Sequence, residues 1–189
     1  MKSLLLASLV IISSLIFSNK LNAQSSKLIE PEFAGAGFIL YQDSTTEDLE
    51  RGKIKATIKT KGLLNPLVSI NLETDGCCST TKIENTNTPI KLVIKSLDNN
   101  SDPTNIYKVL KFEKDKKGNR IATISQSNLL SSSLKAEQKL DEQLFSGKKF
   151  GNSSYILSLT ITKPGEYVIV ESKTGYEIMI NTGLFFTVK

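Results

Sequence analysis

Residues 148–170 read KKFGNSSYILSLTITKPGEYVIV, and this stretch decides the fold class. Tyr155, Leu157, Leu159 and Ile161 recur at a spacing of two, the period of a strand with one buried face. Pro164-Gly165 then interrupts the run: proline pre-sets φ at the first central position of a turn, and glycine admits positive φ at the second. Tyr167 to Val170 is a continuous apolar run, as expected of a strand covered on both faces. The stretch therefore reads as two strands and a tight turn, the core hairpin of a β-sandwich.

The same signals repeat on both sides of it. Phe38 to Tyr41 reads as a first strand, and the acidic Gln42 to Glu50 as a loop or single helical turn. In Lys53 to Lys61, Ile54, Ala56 and Ile58 point one way, while Lys53, Lys55, Lys59 and Lys61 point the other. Val68, Ile70 and Leu72 give the next inward face, and Asp75-Gly76 is a turn signal. Ile90, Leu92 and Ile94 alternate again. Ile106 to Phe112 and Ile121 to Ser125 flank a hairpin loop centred on Lys117-Gly118-Asn119. After the opening stretch, Tyr176, Ile178 and Ile180 alternate, and Asn181-Thr182-Gly183 turns the chain into a last strand from Leu184 to Val188. One segment differs. Leu134, Leu140 and Leu144, among Ala, Glu, Gln and Lys, fit either a short helix near 133–145 or a charged surface loop. About nine short strands with one helical candidate predict an all-β, immunoglobulin-like or jelly-roll type β-sandwich, as a single domain over 33–189 behind a lead-in at 24–32.

Residues 1–23 read as a cleaved signal peptide. Lys2 supplies the positive start, Leu4 to Phe17 lacks charge, and Ala23 closes a segment suited to cleavage. The apolar run is shorter than the roughly 20 residues that span a bilayer, and no transmembrane segment is expected in the mature chain. Export to the periplasm, cell surface or medium follows. Loss of Lys2 and Lys20 takes the formal charge from +5 to +3, too weak a balance to draw nucleic acid. The chain has no histidine, which excludes Ser-His-Asp and Cys-His catalysis and every His-ligated metal site.

Four blocks carry a resemblance. Glu30-Pro31-Glu32-Phe33, the strand Pro89 to Lys95 leading into Asp98-Asn99-Asn100-Ser101-Asp102-Pro103, Lys148 to Tyr155, and Pro164-Gly165-Glu166-Tyr167 resemble a family of uncharacterised secreted β-rich proteins from Bacteroidota. The resemblance implies a periplasmic or surface β domain and supplies no activity.

The candidate chemistry is sparse. Cys77 and Cys78 are the two cysteines of the chain. A bond between neighbours closes a small strained ring, and disulfides of that kind are the more reducible ones. The expectation is a vicinal disulfide after export, with a redox-sensitive turn or a soft-metal thiolate pair for Cu(I) as its functional readings. Asp98, Asn100 and Asp102 have the alternate-residue spacing of a calcium loop, but Pro103 stands where such a loop needs glycine and Val109 where it needs a carboxylate. They read first as an Asx-stabilised turn. Lys53, Lys55, Lys59 and Lys61 form a surface basic face suited to an acidic partner, or to guarding an edge strand. Glu30 with Glu32, and Asp141 with Glu142, are candidate carboxylate pairs for an envelope hydrolase. Tyr41, Tyr107, Tyr155, Tyr167 and Tyr176 are candidate glycan-stacking rings or core aromatics. No cofactor is implied. The function expected is a non-catalytic exported module that binds a protein, envelope component or glycan.

Overall fold

The computed structural model describes residues 29–62, 67–84, 88–128, 137–138, 140–171 and 182–189. Residues 1–23, read as a signal peptide, lie outside them, as do Tyr176 and its alternating neighbours. The described chain is all-β. In order, the strands are β1 (Gly37–Leu40), β2 (Thr46–Asp48), β3 (Glu50–Lys53), β4 (Lys55–Lys61), β5 (Leu67–Thr74), β6 (Lys82–Ile83) and β7 (Ile90–Lys95). The one short helix among the described residues, α1 (Pro103–Ile106), leads into β8 (Tyr107–Lys114) and β9 (Arg120–Asn128). There follow β10 (Glu137–Gln138), β11 (Glu142–Gln143), β12 (Phe145–Phe150), β13 (Ser154–Leu159), β14 (Gly165–Glu171) and β15 (Thr182–Val188). Nine of these have six or more residues; eight of them fall on patterned runs of the sequence, and β12 does not.

Two sheets form. One has the order β12-β13-β7-β1-β2, and the other runs β3-β15-β14-β8-β9-β5-β4. Strands β3 and β4 stand at opposite ends of the second path, yet only Ile54 separates them in the chain. The second sheet therefore curls until its two ends meet at that residue. Ile54 is buried there among Leu72, Leu110, Phe112, Ala122, Val168, Val170 and Phe185, which fill the inside of the curl. The other core lies between the two sheets. It takes Leu92, Ile94, Tyr155, Leu157 and Leu159 from the first, and Val109, Tyr167, Ile169, Leu184 and Phe186 from the second.

Strands β8, β14 and β15 thus serve both cores with alternate residues. In β14, Tyr167 and Ile169 point to the inter-sheet core, while Val168 and Val170 point into the curl. That is why Tyr167 to Val170 carries no polar residue: each successive side chain meets a different apolar layer.

The opening stretch needs one correction. Its two strands are not paired. β13 lies between β12 and β7 in the first sheet, while β14 lies between β15 and β8 in the second. Lys163-Pro164 is the crossing from one sheet to the other. The Tyr167 hydroxyl donates to the Lys163 carbonyl at 2.6 Å, so a buried ring ties the crossing back to the strand that follows it. This is the tyrosine-corner device of β-sandwiches.

The helical reading of 133–145 is also corrected, for the residues described there. Glu137–Gln138 pairs with β9, Glu142–Gln143 pairs with β8, and Phe145 begins β12. Leu140 packs against the curl core, whereas Leu144 is 90% exposed. A helix would place these two, four apart, on one face. Pairing with β8 and β9 satisfies the backbone instead. Residues 129–136 and 139 lie outside the described chain.

The inward face expected for β4 and β5 holds only near the curl. Leu72 is buried, but Ile58 is 73% and Ile70 40% exposed, and Ala56 is exposed too. Strands β8 and β9 pair only at Glu113–Ile121 and Lys114–Arg120. Beyond that point β5 and β4 travel with β9, past the reach of the layer that covers the rest of the sheet.

Candidate functional site

The densest polar arrangement lies where β3, β9, β14 and β15 come together under the loop of residues 75–81. Gly76 has φ +75° and an open site at its missing Cβ, so the turn asks for glycine by conformation and not by space. The loop is then tied down residue by residue. The Ser79 N–H donates to Glu166 Oε2 at 2.8 Å, and its hydroxyl donates to the Phe185 carbonyl. The Thr80 N–H donates to Glu50 Oε2 at 2.7 Å, and the Thr187 hydroxyl donates to Glu166 Oε1 at 2.6 Å.

Arg120 is the centre of the cluster. Only 4% of it is exposed. Its guanidinium lies 4.3 Å over the Phe185 ring, a ring given room by Gly52, where an added Cβ would stand 2.7 Å from it. Nη2 donates to Glu50 Oε1 at 2.8 Å, Nε donates to the Gly76 carbonyl at 3.1 Å, and Nη1 stands 3.8 Å from Glu166 Oε2. Nη1 has no hydrogen-bond partner. Burial acts most strongly on Glu50 and pushes its pKa up. The Arg120 hydrogen bond, the Thr80 N–H and the Arg120 charge together outweigh it and hold the carboxyl below its ordinary value. Two carboxylates share one planar cation that can reach both without bending.

Cys77 and Cys78 sit on the rim of this cluster, the first half-buried and the second exposed. Their Sγ atoms are joined as a disulfide. The two sulfurs and a carboxylate oxygen of Glu166 all lie within 4.8 Å of one another.

The other residues nominated from the sequence have structural occupations. Asp98 Oδ1 accepts from the Asn100 N–H, and Asp102 Oδ1 accepts from the N–H and hydroxyl of Thr104, capping α1. Asn99 between them is buried and donates to three carbonyls of the 150–154 turn. Of the four lysines, Lys55 pairs with Asp75 at 2.7 Å and Lys59 with Glu73 at 3.1 Å. The face is a mixed-charge one, with Lys53 and Lys61 at its ends. Glu142 pairs with Lys108, and Asp141 accepts from Gln143. Tyr107, Tyr155 and Tyr167 are buried core rings. Glu32 is exposed.

Glu30 fastens the lead-in segment to the body. It accepts from the N–H groups of Asn152 and Ser153, from the Ser154 hydroxyl and from Lys95 at 3.0 Å. The Asn152 N–H, then Ser154, then Lys95 hold its pKa down to about 2 from 4.5. A carboxyl so placed is ionised near neutrality. Because the folded pKa lies below the unfolded one, the tie stabilises the fold fully above the unfolded value. It is lost as pH falls towards 2. Glu30→Gln is therefore expected to melt lower than the parent at neutral pH and to lose less between pH 4.5 and 2. Thermal melts across that window check it, and parallel curves for the two proteins would show that the tie contributes nothing.

A cleft opens at the β1–β2 end of the inter-sheet core. It encloses about 670 Å³, with Ile39, Ile83 and Ile90 among its apolar lining residues. Tyr41, Asp43, Lys82, Glu84 and Lys91 supply its polar groups. The Tyr41 hydroxyl donates to Glu47 at 2.6 Å. Burial, then that carboxylate, push its pKa up to about 12. Tyr41 is half-buried, and among the described tyrosines it is the one outside the buried core.

No family model, curated protein or solved structure matches this chain. No helix among the described residues is long and apolar enough to cross a membrane.

Glu50, Arg120 and Glu166 were not nominated from the sequence. They come from three distant strands, and no spacing rule joins them. One signal was present: the chain has two arginines among 24 basic residues, and Arg120 is one of them. Arginine in a lysine-rich chain marks a place where a planar, multiply bonded cation is needed.

Proposed function

We propose that this chain is an exported, non-catalytic β-sandwich module that binds a protein, an envelope component or a glycan. The observation that carries this reading is the cleft between the sheets at the Tyr41 end. Its volume, about 670 Å³, falls in the range of small-ligand sites, and an apolar floor with a few polar groups at the rim is their usual make-up. A half-buried tyrosine offers a ring for a sugar or an apolar side chain. The acids and lysines around it supply both donors and acceptors. The signal-like segment at 1–23 and the adjacent cysteines support an oxidising, exported setting.

The test is direct binding. The purified chain would be applied to an array of bacterial envelope glycans and used to capture proteins from an envelope extract, with hits measured by calorimetry. Tyr41→Ala is expected to weaken the interaction about fivefold, from the roughly 1 kcal/mol that an aromatic contact contributes, measured on a variant that circular dichroism shows to be folded, since Tyr41 also packs against the core. Binding that ignores Tyr41→Ala moves the site elsewhere. Absence of any ligand, together with turnover in a glycoside or ester hydrolysis screen, would overturn the reading.

A further inference from the structure

The rim of the Arg120 cluster holds three metal-type donors that the binding reading leaves unused. Cys77 Sγ, Cys78 Sγ and a Glu166 oxygen lie within 4.8 Å of one another. The carboxylate is oriented from both sides, by the Ser79 N–H at 2.8 Å and the Thr187 hydroxyl at 2.6 Å. Metal-binding carboxylates are typically held by outer hydrogen bonds of this kind. A carboxylate accepts at about four lone-pair positions, so these bonds leave room for an ion. The sulfurs are reachable from solvent, since Cys78 is exposed and Cys77 half-buried. Arg120 Nη1 stands 3.8 Å from Glu166 Oε2 and, being cationic, ligates no metal itself; the ion would be held by the two sulfurs and the carboxylate alone.

We propose that the reduced chain binds a thiophilic divalent cation of the zinc and cadmium class between Cys77 Sγ, Cys78 Sγ and the Glu166 carboxylate. The disulfide and the metal site are then alternative states of one loop. A dithiol reductant converts the first into the second. One of its sulfurs attacks Sγ and the Sγ–Sγ bond breaks. The reductant closes to its own disulfide, and its two electrons and two protons pass to Cys77 and Cys78 as two thiols. Coordination releases both protons to solvent and leaves two thiolates on the ion.

The geometry and the donor chemistry agree on the class of ion. Tetrahedral zinc at a Zn–S distance of about 2.3 Å holds its ligand atoms roughly 3.8 Å apart. The sulfurs must open from bonded contact, and the carboxylate must close by about an ångström at most from its present limit of 4.8 Å. Thiolates disfavour calcium and magnesium, and the oxygen donor shifts preference from Cu(I) towards zinc and cadmium. Two thiolates and two carboxylates face the divalent ion and Arg120, which leaves the reduced, loaded cluster with one net negative charge.

The experiment uses the purified chain reduced with a phosphine and titrated with Cd²⁺ under anaerobic conditions, read by the ultraviolet thiolate-to-cadmium charge-transfer band. The band is expected to saturate at one ion per chain and to be displaced by Zn²⁺. It should be missing in the unreduced chain and in the Cys77→Ser/Cys78→Ser variant. Glu166→Gln should weaken Cd²⁺ binding by about tenfold or more. Where Glu166→Gln does not fold, Thr187→Val keeps the acid but frees its orientation, and is expected to weaken binding by a smaller factor. A reduced, folded chain without the band overturns the proposal. So does one ion per two chains, or affinity unmoved by both the Glu166 and Thr187 changes. Each of these outcomes is independent of whether the Tyr41 cleft binds a ligand.

Discussion

Arg120→Met is expected to lower folding stability by about 3–5 kcal/mol near neutral pH, the usual effect of removing one partner from a buried ion pair. Methionine fills the same path over the Phe185 ring, so the loss is electrostatic and not a cavity. Glu50 and Glu166 would be left facing each other across the gap, with the Gly76 carbonyl also unpaired. The pH dependence separates this cause from a packing defect. In the parent, Arg120 and Thr80 outweigh burial and hold the Glu50 pKa below 4.5. Its carboxylate therefore stabilises the fold above the unfolded pKa, and the benefit disappears as pH falls through the folded value. In the variant, burial dominates and raises the pKa. The penalty is then greatest at neutral pH and shrinks as the acid protonates. Urea denaturation at pH 7 and at about pH 4 should show the gap between variant and parent narrowing in acid. A constant gap would assign the loss to packing, and an unchanged midpoint at pH 7 would show that the cluster does not hold the loop.

Tyr167→Asp is expected to abolish folding. Tyr167 is fully buried, stacked on Phe186 at a centroid distance of 5.6 Å, and tied to the Lys163 carbonyl. Burial, with Asp141 adding a smaller push, raises its pKa to about 12, and a carboxylate there would be buried in the inter-sheet core. Losing an aromatic side chain from a core costs about 3–5 kcal/mol, and an unpaired buried carboxylate adds several more. Together these approach the 5–15 kcal/mol that hold a typical domain. Tyr167→Phe isolates the corner bond and is expected to cost about 1–2 kcal/mol, because it leaves the Lys163 carbonyl without its donor. Far-ultraviolet circular dichroism and denaturant midpoints check both. A folded Tyr167→Asp with a parental melting temperature would place β14 outside the core.

The corner also shows what patterning conveys and what it omits. Alternation in Tyr155 to Ile161 and the unbroken run in Tyr167 to Val170 correctly marked one strand with a buried face and one buried on both. Pro164-Gly165 correctly marked the end of one and the start of the other. What followed from proximity, that the two pair as a hairpin, did not hold. A turn signal states that the chain changes direction, and a crossing between packed sheets satisfies it as well as a reversal within one sheet. The decision lay with Ser154 to Leu159 pairing with β7, and with Glu166 to Glu171 pairing with β8. Partners that distant leave no trace in local spacing.

The lysine-rich run behaves in the same way. Its period of two was real, but the chain leaves one end of the curled sheet and joins the other at Ile54, so one buried residue serves as a hinge point between two edges. Ala56 and Ile58 share its parity without sharing its burial. Near 133–145, helix-forming composition is overridden at the described positions by pairing to β8 and β9, because backbone groups at a sheet take the partners the sheet offers.

From the sequence alone came the all-β class, the positions of most long strands, the exclusion of histidine chemistry, and the interest of Cys77-Cys78. These depend on composition and local period, which a chain carries before it folds. Only the tertiary structure decided that the opening strands belong to different sheets, that β3 and β4 are joined ends of one curl, and that Glu50, Arg120 and Glu166 meet beneath the two cysteines. Those facts depend on which strands lie side by side. That choice is made by matching whole apolar faces, and any one stretch of chain contains only half of each match.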